Sequence, residues 1–507
     1  MATEKAGAAV ADSEVDLVGL GGELVDASVV DPVLKKKMAL INAAIDEIGM
    51  TLWQWKLFGL NGFGYTVDSL LISCQVISQT AVTKEFNYTG IVQGVSLASQ
   101  VGLLIGAAVW GFSADIIGRK FAFNSSLFLC AVFVLLAGAM PNYTSFCTLV
   151  AIYSAGAGGN YILDATNFVE FLPVSHAWLV TFMALWWAVG YTIVGLLAWW
   201  FMSDYSCPTN ETVCARSENM GWRYLHFTSG GLVIVMALVR VFAVRMAQTP
   251  RWLISQNEDE KAFTILTGMA HRYRRPLSLT LEQLQAQGRV RHTDQSAWSA
   301  VRLWAHFSEL FSTRKLAYST TMIIINWLLI GTVSPLYNVF LPYYLESHGA
   351  DTGSSSNYIT WRDYAINQIS GLVGPVIAAG LIETRWLGRR GTLAIGAAIT
   401  TALQIGYTQI VTEAQNVGMS AAISAASNIY YGTIYAYTPE ILPTAHRATG
   451  YSICVVMNRI GGIIGVLVGS YANIRTNVPL FICAGLYGAL VITSLLLPFE
   501  SRRKRSM

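Results

Sequence analysis

Three charged side chains interrupt apolar runs of this 507-residue chain: Asp68, Asp164 and Arg459. A charge near a bilayer centre costs about 2.5–3.5 kcal/mol on insertion scales, so each is a functional candidate by default. Asp68 falls about 14 residues into its run, or ~21 Å along a helix, beyond the midplane. Asn61 and Tyr65 precede it at i−7 and i−3 on the same helical face. A carboxylate so placed can take up a proton on one side of a membrane and release it on the other, or touch a solute. Its other reading is neutralisation by a fixed partner. Asn160, Asp164 and Asn167 form a polar stripe at i, i+4 and i+7, with Asp164 serving equally as a proton site or as part of a gate. Arg459, followed by Gly461, Gly462 and Gly465, needs a carboxylate or an anionic substrate to offset its desolvation. Pairing with an acid from elsewhere in the chain is the favoured reading, direct substrate binding the other.

Milder polar groups recur at helical spacing: Gln93, Ser96 and Gln100; Asn338; Asn367 and Gln368; Asn428, Tyr431 and Tyr435. Amides and phenols orient a small polar solute in a mostly apolar pocket, and they also make interhelical hydrogen bonds. Trp186, Trp187, Trp199 and Trp200 read as packing and interface anchors.

The elements that must hold these groups are membrane helices. Hydrophobic residues make up 53% of the chain and charged ones 12%, half the ~25% usual in soluble domains. Thirty-three Lys+Arg against thirty Asp+Glu leave a net charge of +3, which excludes an electrostatic nucleic-acid binder. Apolar stretches long enough to cross ~30 Å of hydrocarbon lie near 54–80, 90–111, 120–140, 145–171, 176–202 and 221–244. Six more lie near 316–345, 362–383, 391–411, 417–438, 447–473 and 477–498. The expected fold is an all-α membrane protein with twelve transmembrane helices in two pseudo-symmetric six-helix bundles. Its divisions are a tail over 1–52 with an amphipathic helix near 33–49, bundles over 53–244 and 316–498, a polar loop over 245–315 and a basic tail over 499–507. The amphipathic stretch reads as a short cytosolic helix, with a place on the membrane surface as the alternative. Basic residues at Arg119, Lys120, 245–315, Arg385, Arg389, Arg390, Arg447 and Arg502–Arg505 fall on one side, which the positive-inside rule makes cytosolic together with both termini. The sequons at Asn87, Asn142 and Asn210 fall in outer loops, as expected of glycosylation sites. Cys207 and Cys214 share the loop after span 5, where a disulfide is plausible on the oxidising side.

The chain repeats itself. Gly118-Arg119-Lys120 recurs as Gly388-Arg389-Arg390, an offset of 388 − 118 = 270, and Glu170-Phe171-Leu172-Pro173 recurs as Glu440-Ile441-Leu442-Pro443, again 440 − 170 = 270. Two motifs with one offset, each after the second span or between the fourth and fifth of its half, indicate parallel repeats of six helices. Gly111-Phe112-Ser113-Ala114-Asp115 through Gly118-Arg119-Lys120 fits the G-x-x-x-D-x-x-G-R-[KR] loop of the major facilitator superfamily, which residues 53–500 resemble. The second copy is degenerate, with Arg385 where the pattern wants Asp. Gly156-Ala157-Gly158-Gly159-Asn160 leading to Asp164, and Tyr437-Thr438-Pro439-Glu440, resemble the synaptic-vesicle-two-related, organic-ion-transporter-like branch. Asn61-Gly62-Phe63-Gly64-Tyr65 resembles its fungal members, while Thr249-Pro250-Arg251-Trp252 and Pro498-Phe499-Glu500-Ser501 echo sugar porters imperfectly.

The resemblance implies a gate on the cytosolic side. Asp115 would accept from a helix N-terminus while Arg119 pairs with an acid such as Glu170, and Glu440 with Arg447 would form the counterpart beside Gly388, Arg389 and Arg390. It also implies alternating access around one central site. No G-x-x-x-x-G-K-[ST] loop is present, so a gradient is the expected driving force. The expectation is a monomeric plasma-membrane transporter of a eukaryotic, fungal-like cell, neither enzyme nor metalloprotein, without cofactor or nucleic-acid partner. It moves a small polar organic solute with a proton, an organic anion or aromatic acid being the first choice. A facilitative or proton-coupled sugar transporter and a non-transporting nutrient sensor are the alternatives.

Overall fold

The computed structural model describes residues 32–90, 93–117, 119–208, 211, 213–243, 248–290, 308, 310–349, 356–410, 412–442, 447–471 and 478–500, without the side chains of 111–124, 161–163, 243, 338–349 and 447–448. Helix α1 (Pro32–Ile48) precedes the first bundle. That bundle contains α2 (Leu52–Glu85), α3 (Gly94–Ile117), α4 (Arg119–Gly138), the pair α5 (Tyr143–Ala157) and α6 (Asn160–Phe171), the pair α7 (Trp178–Phe182) and α8 (Ala184–Asp204), and α9 (Gly221–Ala243). Three short helices follow, α10 (Pro250–Ser255), α11 (Asp259–Tyr273) and α12 (Leu281–Gln285). The second bundle contains α13 (Arg314–Gly349), the pair α14 (Asn357–Ser370) and α15 (Val373–Ile382), α16 (Gly388–Tyr407), α17 (Glu413–Ile441), α18 (Arg447–Tyr471) and α19 (Val478–Leu495). Counting each pair as one span gives twelve, at the places the hydropathy predicts.

The pairings obey the repeat. In the first bundle α2 packs on α8, α3 on α5 and α4 on α9; six spans later α13 packs on α18, α14 and α15 on α17, and α16 on α19. Small residues permit the closest approaches. A Cβ at Gly190 would sit 2.3 Å from the Thr66 carbonyl oxygen, and one at Gly461 2.4 Å from that of Leu328. These glycines bring helix backbones together, which is what holds membrane helices where apolar burial against lipid gains little. The bundles meet through α3 against α18 and α8 against α14.

The two ends of the molecule are built differently. On the face that carries Arg389, here called the basic face, one apolar core runs through both bundles, from Phe58, Phe168 and Leu179 to Trp327, Tyr435 and Tyr451. Toward the opposite face the first bundle has its own core around Leu70, Val134, Tyr153 and Trp222. There the halves meet where α14 packs on α8, and at its start the Asn357 amide donates to the carbonyls of Ser206 (3.3 Å) and Cys207 (3.0 Å). Cys207 is disulfide-bonded to Cys214, the Cα atoms 6.2 Å apart. Asn87 and Asn142 are exposed on that face; Asn210 lies outside the described residues.

Among its described residues the polar segment after α9 holds the helices α10 to α12. Leu34, Met38, Ile41 and Ile45 of α1 pack on Leu253, Ile254, Ala262 and Leu266 of α10 and α11, a third core under the basic face. The apolar stripe near 33–49 is therefore buried against protein. Lys37, itself buried, pairs with Asp259 at 2.5 Å, and the Glu47 carboxylate accepts from the Ser278 N–H (2.8 Å) and hydroxyl (2.7 Å). These two donors hold Glu47 below its ordinary value of 4.5. Because the folded value is the lower one, the contact is at full strength above the ordinary value and is lost as pH falls through the folded one. Hydrogen exchange at the Ser278 amide is expected to accelerate below that range beyond its intrinsic pH dependence, and Glu47→Gln to abolish the step.

Candidate functional site

Asp68 sits fully buried on α2. The Asn160 amide of α6 donates to its Oδ1 at 3.4 Å, and Ser126 Oγ donates in turn to Asn160 Oδ1 at 2.5 Å. Asp68 Oδ2 has no hydrogen-bond partner among the described residues. The charges acting on Asp68 are those of Arg459, first, and then Asp164 and Arg240. Arg459, 5% exposed, belongs to α18 of the other half. The two groups that the sequence picked out separately thus lie within charge reach of one another from opposite halves, with Tyr191 of α8 within electrostatic reach of both.

An aromatic wall continues from this pair into the second half. Trp187 lies 6.4 Å from Tyr65 and 6.1 Å from Tyr191, centroid to centroid, and 5.6 Å from Tyr435. Tyr435 in turn lies 4.7 Å from Trp327 and 6.2 Å from Tyr431. Gln100 Oε1 is buried without a hydrogen-bond partner beside Gly462, where a Cβ would stand 2.6 Å away. Asn61, two turns before Asp68 on the same face, is fully buried with both amide atoms unsatisfied. Buried amides of that kind are what a polar solute or water would satisfy.

Other candidates have different employment. Asp164 forms a buried ion pair with Arg240 of α9, so it has a fixed counter-ion. Arg240 escaped attention in the sequence because it stands near the end of its span, where basic residues ordinarily flank lipid. Asn428 donates back to Ser424 O on its own helix at 2.8 Å and packs against Gly371 and Gly374, which makes it an interhelical contact. Gln368 lies against Gly195 of α8, and Asn367 is half-buried beside it. Gln93 occupies the turn before α3, its carbonyl accepting from Leu97 N–H. Asn338 has no described side chain. Trp187 belongs to the aromatic wall, whereas Trp200, 64% exposed, faces outward as the sequence suggests.

The basic face is closed by Arg389. Its guanidinium ion-pairs with Glu440 and donates to Thr181 Oγ1 (2.7 Å) and the Ala177 carbonyl (3.5 Å) of the first half. Glu500 accepts the backbone N–H groups of Arg389 (2.8 Å) and Arg390 (3.1 Å), an anion at the N-terminus of α16. Gly388 makes this cradle possible, since its φ is +56° and a Cβ would meet the Glu500 carboxylate at 2.6 Å. Glu440 thus has a partner in Arg389; the side chain of Arg447 lies outside the described residues, as do Gly118 and the side chains of Gly111, Asp115, Arg119 and Lys120. Glu170 is buried within charge reach of Arg251, whose guanidinium also donates to Val169 O at 3.3 Å. Arg389→Ala removes both bonds between the halves and the Arg389–Glu440 ion pair; initial uptake rates are expected to fall at least tenfold, in kcat rather than KM.

The Major Facilitator Superfamily model matches residues 62–466. The chain belongs to that superfamily. A relative from Ceriporiopsis subvermispora, "MFS siderochrome iron transporter 1", is 36% identical and aligns over 96% of this chain and 94% of its own length. The Emericella nidulans "Major facilitator-type transporter hxnZ" is also 36% identical, over 92% and 87%. The rat "Synaptic vesicle 2-related protein" is 24% identical, over 91% and 81%. Among solved structures, the proton:xylose symporter XylE bound to 6-bromo-6-deoxy-D-glucose superposes with a TM-score of 0.62 at 17% identity, covering 92% of this chain and 98% of that one, which speaks for the fold alone. The protein is thus a multi-pass membrane transporter and not an enzyme.

Proposed function

We propose that this superfamily member is a proton-coupled symporter that carries a small organic anion, an aromatic acid in particular, inward across the plasma membrane with its basic face cytosolic. The observation that carries the reading is Asp68, buried with Oδ2 unsatisfied and opposed by Arg459 from the other half. A carboxylate that alternates between charged and neutral changes its attraction for Arg459, and so couples proton binding to the fit between the halves. A carboxylate-bearing solute would compete with Asp68 for the same guanidinium once Asp68 takes a proton. Tyr191 lies within charge reach of that guanidinium, and the aromatic run from it through Trp187 to Tyr435 suits an aromatic or flat apolar body.

The test is uptake by purified protein in proteoliposomes with an alkaline lumen. Aromatic carboxylates are expected to accumulate and a protonophore to collapse the gradient. Accumulation that is indifferent to the protonophore rejects proton coupling; no flux of any tested acid rejects the substrate class. The Ceriporiopsis relative's name makes an iron-loaded siderochrome the second solute to include.

A further inference from the structure

We propose that Lys56, Arg272, Arg274 and Arg275 together form a headgroup site for an anionic phospholipid in the leaflet at the basic face. The first turns of α2 turn one side to lipid: Leu52 is 60% exposed and Trp55 44%, with Lys56 exposed beside them. Leu52 and Lys56 are four residues apart, hence on one helical face. A tryptophan there marks the boundary of the hydrocarbon, and a lysine just inside it lays its stem along apolar surface and lifts its ammonium to the headgroups.

The end of α11 reaches the same level. Arg274 takes the left-handed conformation (φ 51°) that ends the helix, and the Arg275 N–H closes on Ala270 O at 2.9 Å. The Arg275 guanidinium then donates to the Met50 carbonyl at 3.5 Å, two residues before α2 begins. Arg272, Arg274 and Arg275 are exposed, and among the described residues no ion pair involves them or Lys56. Glu47, the carboxylate nearest in sequence to Met50, is occupied by Ser278.

Four cations contributed by two elements, with no ion-pair partner among the described residues, match the charge of a phosphodiester headgroup, and arginine forks suit its paired oxygens. A lipid held there would tie the helix that carries Asp68 to the α1–α11 module below it.

The full-length protein in neutral detergent is titrated with phosphatidylglycerol and with phosphatidylcholine, and bound lipid is counted by native mass spectrometry. Phosphatidylglycerol is expected to bind the more tightly. R272Q/R274Q/R275Q is expected to weaken it about 100-fold and K56Q about fivefold, at roughly fivefold per charge. Phosphatidylcholine binding is expected to stay unchanged in both. Unaltered phosphatidylglycerol affinity in both variants overturns the site, and if the triple variant does not fold, K56Q decides alone. Displacement of the lipid by equimolar inorganic phosphate would make this a soluble-anion site and overturn the lipid assignment.

Discussion

Asp68→Asn is expected to abolish solute accumulation driven by a proton gradient while sparing counterflow. The amide nearly matches the carboxylate in size and keeps an acceptor for Asn160, so the packing around α2 should survive. It cannot change charge, and so its attraction for Arg459 no longer depends on a proton. One pH unit and 100 mV together supply about 1.4 + 2.3 = 3.7 kcal/mol per proton, enough for roughly 500-fold accumulation at one proton per solute. The variant should reach a ratio near one under the same gradient. Exchange of labelled for unlabelled solute requires only loaded carriers to reorient, so counterflow should stay within a few-fold of the native rate. The paired measurement separates coupling from folding, because a misfolded carrier loses both. Unchanged accumulation in Asp68→Asn would move the proton to another group, and Asp164 would be the next to test.

How legible this was in the sequence depends on the range of the interaction concerned. Twelve spans follow from apolar length, and the twofold organisation from two motifs displaced by one offset, because both are properties of contiguous residues. Asp68 and Arg459 stand out for a related reason: a charge in an apolar run is costly wherever it points. Sequence could not choose their partners. Arg240 is one of many basic residues near span ends, and only the fold turns it inward onto Asp164 rather than outward to headgroups. Glu440 ion-pairs with Arg389, 51 residues away, a partner the sequence did not propose for it. The same holds for Trp187 and Trp200, alike in sequence, of which one joins the aromatic wall and the other faces outward. The amphipathic stretch near 33–49 displayed its apolar stripe plainly, but the surface that covers it comes from α10 and α11, some 200 residues on. Each miss is a question of which face meets which, and periodicity is silent about the far side of a contact.

The second large effect is expected at Asp164 and Arg240. Removing one member of a buried ion pair leaves a charge without compensation, at a cost of about 3–5 kcal/mol, against a total stability of about 5–15. Asp164→Leu and Arg240→Met are each expected to reduce the yield of folded protein sharply and to lower its thermal midpoint. Replacing both by apolar residues removes the stranded charge, and is expected to restore most of the loss, since such replacements are often neutral or better. Gly64→Ala should imitate the single variants without altering either charge, because its Cβ would lie 1.6 Å from Asp164 Oδ2 and force the carboxylate away from Arg240. Transport by the double variant then decides what Asp164 is for. Recovery of both folding and gradient-driven accumulation makes the pair a structural brace between α6 and α9. Folding recovered with counterflow intact but accumulation lost places Asp164 in the proton path beside Asp68. The brace is the expected result, because Arg240 already compensates Asp164 inside the first bundle, whereas Asp68 looks for its countercharge to the half that must move.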